Sequence, residues 1–226
     1  MSTLAIIPAR SGSKGLPGKN IRKFRGVPLL GLAIQQAKQT KGIDRIIVST
    51  DSEEYAELAR SFGAEVPFLR PAGLSTDLSD DLSTFQHCLM KLKEENYTPD
   101  LIVHLRPTYP LRTSEEIDAC IQLLQNSPDA DSVRSVCVST ASPYKMYKIE
   151  GDQLKPVAEC GITEAFNQPR QKLPPTYEHN GAIDVVRTNC ILSGSMSGQT
   201  IFPFLMTHNH DIDTLQDFIE AEKSDN

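Results

Sequence analysis

The chain has 226 residues, 39% of them hydrophobic and 23% charged, which is ordinary for a globular protein. Its formal net charge of −6 at pH 7 argues against nucleic-acid binding as the main activity, so a local cluster of cations is better explained by a small anionic ligand. Five cysteines are scattered without any C-x-x-C pair, and no apolar run approaches the length of a membrane span. We therefore expect one domain over residues 1–226, reduced thiols, a cytoplasmic location and no contact with membranes or nucleic acids.

The first predicted element is a short apolar strand that ends at Pro8 and opens into a glycine-rich loop, AIIPARSGSKGLPGKN over residues 5–20. The spacing G-x-x-G-x-x-G matches neither the Walker A loop nor the dinucleotide fingerprint. Glycines bring backbone N–H groups close to an anion, and lysine and arginine add positive charge. The loop therefore reads as a cradle for a nucleoside triphosphate, with a basic surface turn as the alternative. Its glycines and cations are Gly12, Gly15, Gly18, Arg10, Lys14 and Lys19.

Strand and helix patterns then alternate as far as residue 139. Strands are predicted over residues 44–50, 101–105 and 132–139. Helices are predicted over residues 29–39 with Pro28 in the first turn, over 52–62 with an end at Gly63, over 80–95, and from the capping box of Thr113 and Glu116. Repeated β-α-β units predict a three-layer α/β/α fold with a mostly parallel sheet.

The pattern changes after about residue 140. A β-hairpin that turns at Gly151-Asp152 precedes a proline-containing stretch over residues 160–180, so residues 140–182 are interpreted as an insertion. Strands over 182–187 and 201–207 and a last helix capped by Thr214 and Asp217 complete the chain. Ligands of open α/β sheets bind at the carboxyl ends of strands, which predicts one crevice for the glycine-rich loop and for RPTYPLRT at 106–113.

Six segments together resemble the acylneuraminate cytidylyltransferases, the family that activates sialic acid and related nonulosonic acids. They are ARSGSKGLPGKN at 9–20, IIVSTD at 46–51, EVPFLRPAGLSTD at 65–77, RPTYPLRT at 106–113, RQKLPPTYEHNGAIDV at 170–185 and DIDT at 211–214. The resemblance implies a Rossmann-like nucleotidyltransferase fold and a magnesium-dependent reaction of CTP with an acidic sugar, giving a CMP-sugar and pyrophosphate. It also implies a homodimer in which the insertion reaches across to the neighbouring subunit.

The resemblance further implies a nucleotide site. Arg10 and Lys19 would hold the triphosphate and count with Asp211 and Asp213 as the catalytic residues. Other expected nucleotide contacts are Ala9, Ser11, Gly12, Lys14, Gly15, Asn20, Ser75, Asp77 and Ser83.

Asp211 and Asp213 are the expected magnesium ligands, because one or two carboxylates plus substrate phosphates usually hold this ion. The alternatives are that Asp213 only caps the last helix, or that His208, His210 and Asp211 bind zinc. His87 and His104 are interpreted as core or surface histidines.

The acceptor side departs from the family pattern. Arg106 stands where sialic acid enzymes typically have glutamine, and Tyr109 stands where they have serine. An arginine there could hold a carboxylate, a phosphate or a phosphonate. Expected acceptor contacts are Arg106, Thr108, Lys145, Arg170 and Asn180, of which Lys145 and Arg170 would enter the neighbouring subunit's site. Two other functions remain open: a guanylyl- or cytidylyltransferase acting on a sugar phosphate or phosphonate, and a non-catalytic nucleotide sensor.

Overall fold

A six-stranded sheet forms the centre of the molecule in the computed structural model, which describes residues 1–13, 15–207 and 209–224. In the described residues the strands are β1 (Thr3–Pro8), β2 (Lys23–Phe24), β3 (Val27–Pro28), β4 (Arg45–Ser49), β5 (Leu101–His104), β6 (Ser132–Val138), β7 (Tyr147–Glu150), β8 (Gln153–Pro156), β9 (Tyr177–Arg187) and β10 (Ile201–Leu205). The helices are α1 (Leu29–Gln39), α2 (Glu53–Phe62), α3 (Asp81–Glu94), α4 (Ser114–Gln125), α5 (Thr188–Leu192) and α6 (Leu215–Lys223).

The strand order of the central sheet is β10-β6-β9-β5-β1-β4. β1 pairs in parallel with β4 and β5, and β6 pairs in parallel with β10. β9 runs antiparallel to both of its neighbours, β5 and β6. The prediction of a mostly parallel sheet is thus confirmed, with one reversed strand at its centre.

Helices cover both faces of this sheet. On one face α1, α2 and α4 pack against alternate residues of the strands, such as Ala5, Ile7 and Val103. On the other face α3 and α5 pack against residues of the opposite parity, such as Leu4 and Ile6. Side chains alternate between the two faces of a strand, so the apolar run of β1 serves both cores. The predicted three-layer α/β/α fold is confirmed.

Local cap signals placed the helix ends well. Ser52 caps α2 through its side chain, and Gly63 ends that helix with a φ of 92°. Complete capping boxes open α4 at Thr113 and α6 at Thr214. Pro28 lies one position before α1, as the last residue of β3, rather than inside the first turn.

A smaller apolar cluster joins the glycine-rich loop to the end of the chain. Leu16 from the loop packs with Ile212 and with Phe218 of α6, and Phe24 meets Phe218 edge to face. Apolar burial of this kind stabilises the contact between segments about two hundred residues apart in sequence. It fixes the loop and residues 211–214 beside each other.

The predicted hairpin is confirmed as β7 and β8, which form a separate two-stranded sheet. Ile149 and Leu154 are directly opposed in this hairpin and are 77% and 62% exposed. No helix within residues 1–13, 15–207 and 209–224 has the length and apolar character to cross a membrane.

Candidate active site

A cavity of about 620 Å³ opens where β1 and β5 end. The glycine-rich loop forms one wall, residues 106–108 form the floor, and the segment that leads into α3 forms the opposite wall. The predicted single crevice for the glycine-rich loop and RPTYPLRT is therefore present. Of the expected site residues, the following line it: Arg10, Gly15, Lys19, Asn20, Asp77, Arg106, Thr108 and Asp213.

Two glycines shape the loop for different reasons. Gly18 has a φ of 63°, in the left-handed region that favours glycine. At Gly15 a Cβ atom would lie 2.9 Å from the carbonyl oxygen of Asp213, so only a residue without a side chain fits. The amide of Asn20 donates to the carbonyl of Arg10 (3.0 Å) and closes the loop on itself. The expected contact from Lys14 lies outside the described residues.

Lys19 connects the two ends of the chain. Its ammonium lies 3.0 Å from Oδ1 of Asp213 and donates to the carbonyl of Ile212 (2.7 Å). Asp211 is half-buried, burial raises the pKa of its carboxyl group, and its Oδ1 has no hydrogen-bond partner among the described residues. A half-buried carboxylate oxygen without a donor beside an exposed second carboxylate is an arrangement that fits a divalent cation.

Two arginines also line the cavity, Arg10 from the glycine-rich loop and Arg70 from the segment that precedes α3. Arg10 donates to the carbonyl of Thr76 (2.6 Å) and lies 3.4 Å from Oδ1 of Asp77. Arg70 is buried, and burial lowers the pKa of its guanidinium. It donates from Nη1 to Thr84 (3.3 Å), while Nε and Nη2 have no partner among the described residues.

Sequence reasoning missed Arg70, although it lies inside the quoted segment EVPFLRPAGLSTD. The available signal was a single arginine in an otherwise apolar stretch, since a buried cation needs an anionic or polar partner. Among the cations of the described cavity wall, Arg70 is the one with buried guanidinium nitrogens that lack a hydrogen-bond partner. It belongs with Arg10 and Lys19 as a candidate contact for the nucleotide.

Arg106 lies on the floor of the cavity between two carboxylates. Its Nη1 is 3.0 Å from Oδ2 of Asp184 in β9, and its Nη2 is 3.2 Å from Oδ2 of Asp81 at the start of α3. Arg112 is fully buried and donates to the carbonyl groups of Arg106 and Ala182 (2.8 and 3.0 Å). The fold therefore fixes the backbone of Arg106 as well as its guanidinium.

Other expected site residues do not line the cavity. Ala9 is buried beneath the loop. Ser11 donates to the carboxylate of Asp51 from its N–H (2.8 Å) and from its hydroxyl (3.0 Å). Asn180 is buried and accepts from the Ser135 hydroxyl (2.6 Å). The remaining ones lie outside the wall of the cavity: Gly12, Ser75, Ser83, Lys145, Arg170 and Asp211. Asp211 nonetheless lies close to this floor, because a Cβ on Gly181 would contact both Asp211 and Arg106.

The zinc alternative gains no support from the described part of the chain, where no group of three histidine, cysteine, aspartate or glutamate side chains is placed to hold a metal. The ring of His210 lies beside that of Tyr109, at 6.2 Å between centroids. The third proposed zinc ligand, His208, lies outside the described residues.

A glycine-rich loop, converging cations and a carboxylate pair at the carboxyl edge of this α/β sheet define a nucleotidyltransferase. The chain belongs to the cytidylyltransferase family, whose model, described as "Cytidylyltransferase", matches residues 4–185. Arg10, Lys19, Arg70 and Arg106 all lie within the matched segment.

Two curated relatives show what this chain is similar to, one along almost its whole length and one along part of it. It is 34% identical to the CMP-N,N'-diacetyllegionaminic acid synthase of Legionella pneumophila, over 99% of this chain and 96% of that protein. It is 40% identical to the N-acylneuraminate cytidylyltransferase of Escherichia coli, over 59% of this chain and 30% of that protein. Among solved structures, a CMP:2-keto-3-deoxy-manno-octonic acid synthetase complexed with CTP superposes with a TM-score of 0.73 at 16% identity, over 98% of this chain and 97% of that chain. That structural likeness concerns the fold.

Proposed function

We propose that this enzyme transfers CMP from CTP to the anomeric hydroxyl of an acidic nonulosonic sugar. The hydroxyl oxygen forms a bond to the α-phosphorus of CTP, the bond between that phosphorus and the bridging oxygen of the β-phosphate breaks, and pyrophosphate leaves. The hydroxyl proton passes to solvent. The products are a CMP-sugar and pyrophosphate.

The observation that carries this proposal is the pairing of Lys19 with Asp213 across 3.0 Å, inside the cavity that the glycine-rich loop encloses. Nucleotidyl transfer asks the protein to place two reactants and to neutralise charge, with little covalent chemistry of its own. Cations from the start of the chain and carboxylates from its end meet at one place for that purpose. Membership of the cytidylyltransferase family supports the same reaction class.

The cations of the cavity take the negative charge of the triphosphate. We assign the leaving pyrophosphate to Lys19, whose ammonium is held by the carbonyl of Ile212, and a further part of the triphosphate to Arg10, which extends to the carbonyl of Thr76. Arg70 has two guanidinium nitrogens without a hydrogen-bond partner in the part of the chain that the structure describes. Loss of an oriented charged donor of this kind typically lowers turnover by about 10² to 10³.

Magnesium fits the residues present. The described cavity wall carries four cations (Arg10, Lys19, Arg70 and Arg106) and four carboxylates (Asp77, Asp80, Asp81 and Asp213), so its formal charge is balanced. A triphosphate would bring several negative charges to this wall, and a divalent ion offsets them. Asp211, with its unpartnered oxygen, and Asp213 would hold the ion. When bound, magnesium supplies charge neutralisation and polarisation of phosphate oxygens.

The acceptor class follows from the relatives and from the floor of the cavity. The relatives are named for diacetyllegionaminic acid and for N-acylneuraminate, both acidic sugars. Arg106 and Thr108 lie on the floor of the cavity, near Asp211. A guanidinium there is suited to the carboxylate of such a sugar.

We infer that the enzyme acts as a homodimer through residues 140–182. Exposed apolar side chains on the β7–β8 hairpin favour burial against a second copy. Lys145 and Arg170 belong to this insertion and lie outside the cavity of their own chain, which is consistent with a role in the partner's site. All five cysteines are free thiols, as expected for a cytoplasmic protein.

Pyrophosphate release tests the function. The pure protein is incubated with magnesium and each of the four nucleoside triphosphates, and with N-acetylneuraminic acid, N,N'-diacetyllegionaminic acid or a hexose 1-phosphate as acceptor. The proposal expects pyrophosphate and a CMP-sugar only with CTP and a sugar acid. Release that requires GTP or a sugar phosphate would contradict it, and tight CTP binding without turnover on any acceptor would indicate a sensor instead.

A further inference from the structure

Asp184 of β9 is a buried carboxylate that binds Arg106 from outside the cavity. Its side chain is 5% exposed, and it accepts from Nη1 of Arg106 (3.0 Å), Nε of Arg134 (2.8 Å) and Nε2 of His179 (3.2 Å). Burial alone would raise its pKa, but the hydrogen bond from His179 and the charge of Arg106 hold that pKa well below its usual range. Asp184 is therefore ionised at neutral pH and bound on both oxygens.

Asp81 binds the same guanidinium from the other side but is much more exposed than Asp184. Its side chain is 46% exposed, and it lines the cavity together with Arg106. Its contact with Nη2 of Arg106 is 3.2 Å. Exposed ion pairs contribute little to stability, whereas a buried pair is expensive to break because each charge is left without water. Arg106 thus has one permanent partner and one that an incoming anion can replace.

The position of this replaceable contact is on the acceptor side of the cavity. Gly181, with a φ of 69°, brings the backbone of β9 close to Arg106, and a Cβ there would lie 3.7 Å from Cδ of Arg106 and 3.6 Å from Oδ2 of Asp211. Arg106 is thereby beside one of the two carboxylates expected to hold magnesium. Under the proposed function the acceptor reacts beside these carboxylates, so this guanidinium would lie next to the bound sugar acid.

We propose that Asp81 is a placeholder for the acceptor's carboxylate, and that Asp184 is the positioning residue that keeps Arg106 oriented while the exchange takes place. The inference rests on the proposed function. In the free enzyme a carboxylate oxygen of Asp81 satisfies Nη2 of Arg106. In the acceptor complex the sugar carboxylate takes that place, while Asp184, held by Arg134 and His179, keeps Nη1. One carboxylate replaces another on Nη2, so the number of carboxylates bound to Arg106 is unchanged.

This arrangement favours a carboxylate over a phosphate. A sugar phosphate carries close to two negative charges at neutral pH, and it would bring the second charge next to Asp184 and to the displaced Asp81. Arg134 is bound to Asp184, and neither Arg134 nor the buried Arg112 lines the cavity, so Arg106 is the cation of the described floor that meets the acceptor. The acid pair around Arg106 therefore selects against dianionic acceptors.

Steady-state kinetics of pyrophosphate release, with CTP and magnesium saturating and N-acetylneuraminic or N,N'-diacetyllegionaminic acid varied, test both roles. Asp81→Asn removes the competing charge and keeps the size of the side chain. We expect it to lower the KM for the sugar acid about threefold to tenfold, with the KM for CTP unchanged. Asp184→Asn should raise the KM for the sugar acid at least about tenfold, again without a change in the KM for CTP.

Glu65→Gln is the matched control. Glu65 is exposed and pairs with Arg45 (2.7 Å) at the amino-terminal end of β4, whereas the cavity lies at the carboxyl ends of β1 and β5. Its replacement should change neither KM. In an Arg106→Gln background the effect of Asp81→Asn should vanish, because both substitutions act on the same contact.

The wild-type enzyme is assayed first, and a failure to release pyrophosphate with any sugar acid would refute the proposed function itself. With an active wild type, an unchanged or raised KM in Asp81→Asn overturns the placeholder role. Equal rises of both KM values in Asp184→Asn would indicate a general structural role and overturn the positioning role.

Discussion

Individual carboxylates near the end of the chain differ in their surroundings, although only one residue separates them. Asp213 is exposed and paired with Lys19. Asp211 is half-buried, and burial raises the pKa of its carboxyl group. A hydrogen bond with Thr108 lowers this pKa and the charge of Asp213 raises it, so that the net shift is upward. A cation bound here would therefore meet a half-buried carboxylate from Asp211 and an exposed carboxylate from Asp213.

Replacement of either carboxylate by its amide tests the metal role. Asp211→Asn and Asp213→Asn should each lower kcat at least about a hundredfold in the pyrophosphate assay, because an amide offers no negative charge to magnesium. The loss should be smaller at high magnesium concentration, and EDTA should abolish the wild-type rate. Asp129→Asn, in the exposed turn before β6, is the control and should behave as wild type. Full activity of both variants would remove the two aspartates from the mechanism.

His104 is a second residue with a measurable consequence, and it acts on stability. It is completely buried at the end of β5, and both ring nitrogens lack a hydrogen bond among the described residues. Burial, with the positive charge of Arg106 as the next cause, lowers the pKa of His104 to about 3. The interpretation of His104 as a core histidine agrees with this environment, in which the ring stays neutral against Phe85 (4.6 Å between centroids).

The pH dependence of this effect has a definite sign. The unfolded chain takes up a proton near pH 6.5 and the folded chain only near pH 3, so acidification favours the unfolded state by up to about 1.4 kcal/mol per pH unit in that window. Between pH 8 and pH 5, His104 should therefore remove about 2 kcal/mol of stability. His104→Leu, of similar volume and without a titrating group, should lose less stability than the wild type by that amount.

Urea denaturation followed by circular dichroism at pH 8, 7, 6 and 5 measures the difference between the two proteins. His87, whose pKa is also lowered by burial, is present in both and cancels. Parallel stability curves for wild type and His104→Leu would contradict the prediction.

Among the secondary-structure elements, those with local signals were predictable and those defined by distant partners were not. Capping residues located the starts of α2, α4 and α6, and the end of α2, within a residue. β9 begins at Tyr177, five residues before the predicted strand, because residues 177–179 pair with β6 despite their polar side chains. Its antiparallel direction depends on pairing with β5 and β6, which no local pattern records.

The candidate site follows the same division. The loop that contains Lys19 and the DIDT segment could be predicted because their glycines and charged residues cluster in the sequence. The partners of Arg106 were not: Asp81 opens α3 and Asp184 lies within an apolar strand, 25 and 78 positions away along the chain. A lone charged residue in an apolar run, as at Asp184 and Arg70, is the signal that could have identified them.

The glycine-rich loop as an element is tested at Gly15. Gly15→Ala places a Cβ 2.9 Å from the carbonyl oxygen of Asp213, so the loop and the carboxylate segment must move apart by several tenths of an ångström. Because Lys19 and Asp213 would then separate, we expect the KM for CTP to rise about tenfold, with a loss of kcat.

Gly73→Ala is the control for a glycine substitution near the cavity. A Cβ at Gly73 meets no atom within 4 Å, so this variant should keep wild-type kinetics. Equal behaviour of Gly15→Ala and Gly73→Ala would mean that the close approach at Asp213 has no part in nucleotide binding.

At the scale of the whole molecule, the insertion over residues 140–182 is the part proposed to form the dimer. Its hairpin exposes Ile149 and Leu154 on one face, and the ring of Tyr147 packs on Phe166 within the insertion (5.6 Å between centroids). Lys145 and Arg170 lie at the base of the same unit, and Arg170 donates to the carbonyl of Ser139 (2.5 Å). In a symmetric dimer each subunit would place its insertion against the other subunit.

Complementation between two inactive variants decides whether the insertion acts across subunits. Lys145→Ala and Asp213→Ala should each be inactive as pure homodimers. When the two are co-expressed in equal amounts, half of the dimers are mixed, and each mixed dimer contains one site with both Lys145 and Asp213 intact if Lys145 acts on its partner. We therefore expect recovery of about a quarter of the wild-type pyrophosphate rate. If Lys145 serves its own chain, every site carries one defect and no activity returns. Ile149→Asp, which should weaken the dimer by placing a charge on its apolar face, should abolish the recovery in the mixture and give a monomer in light scattering.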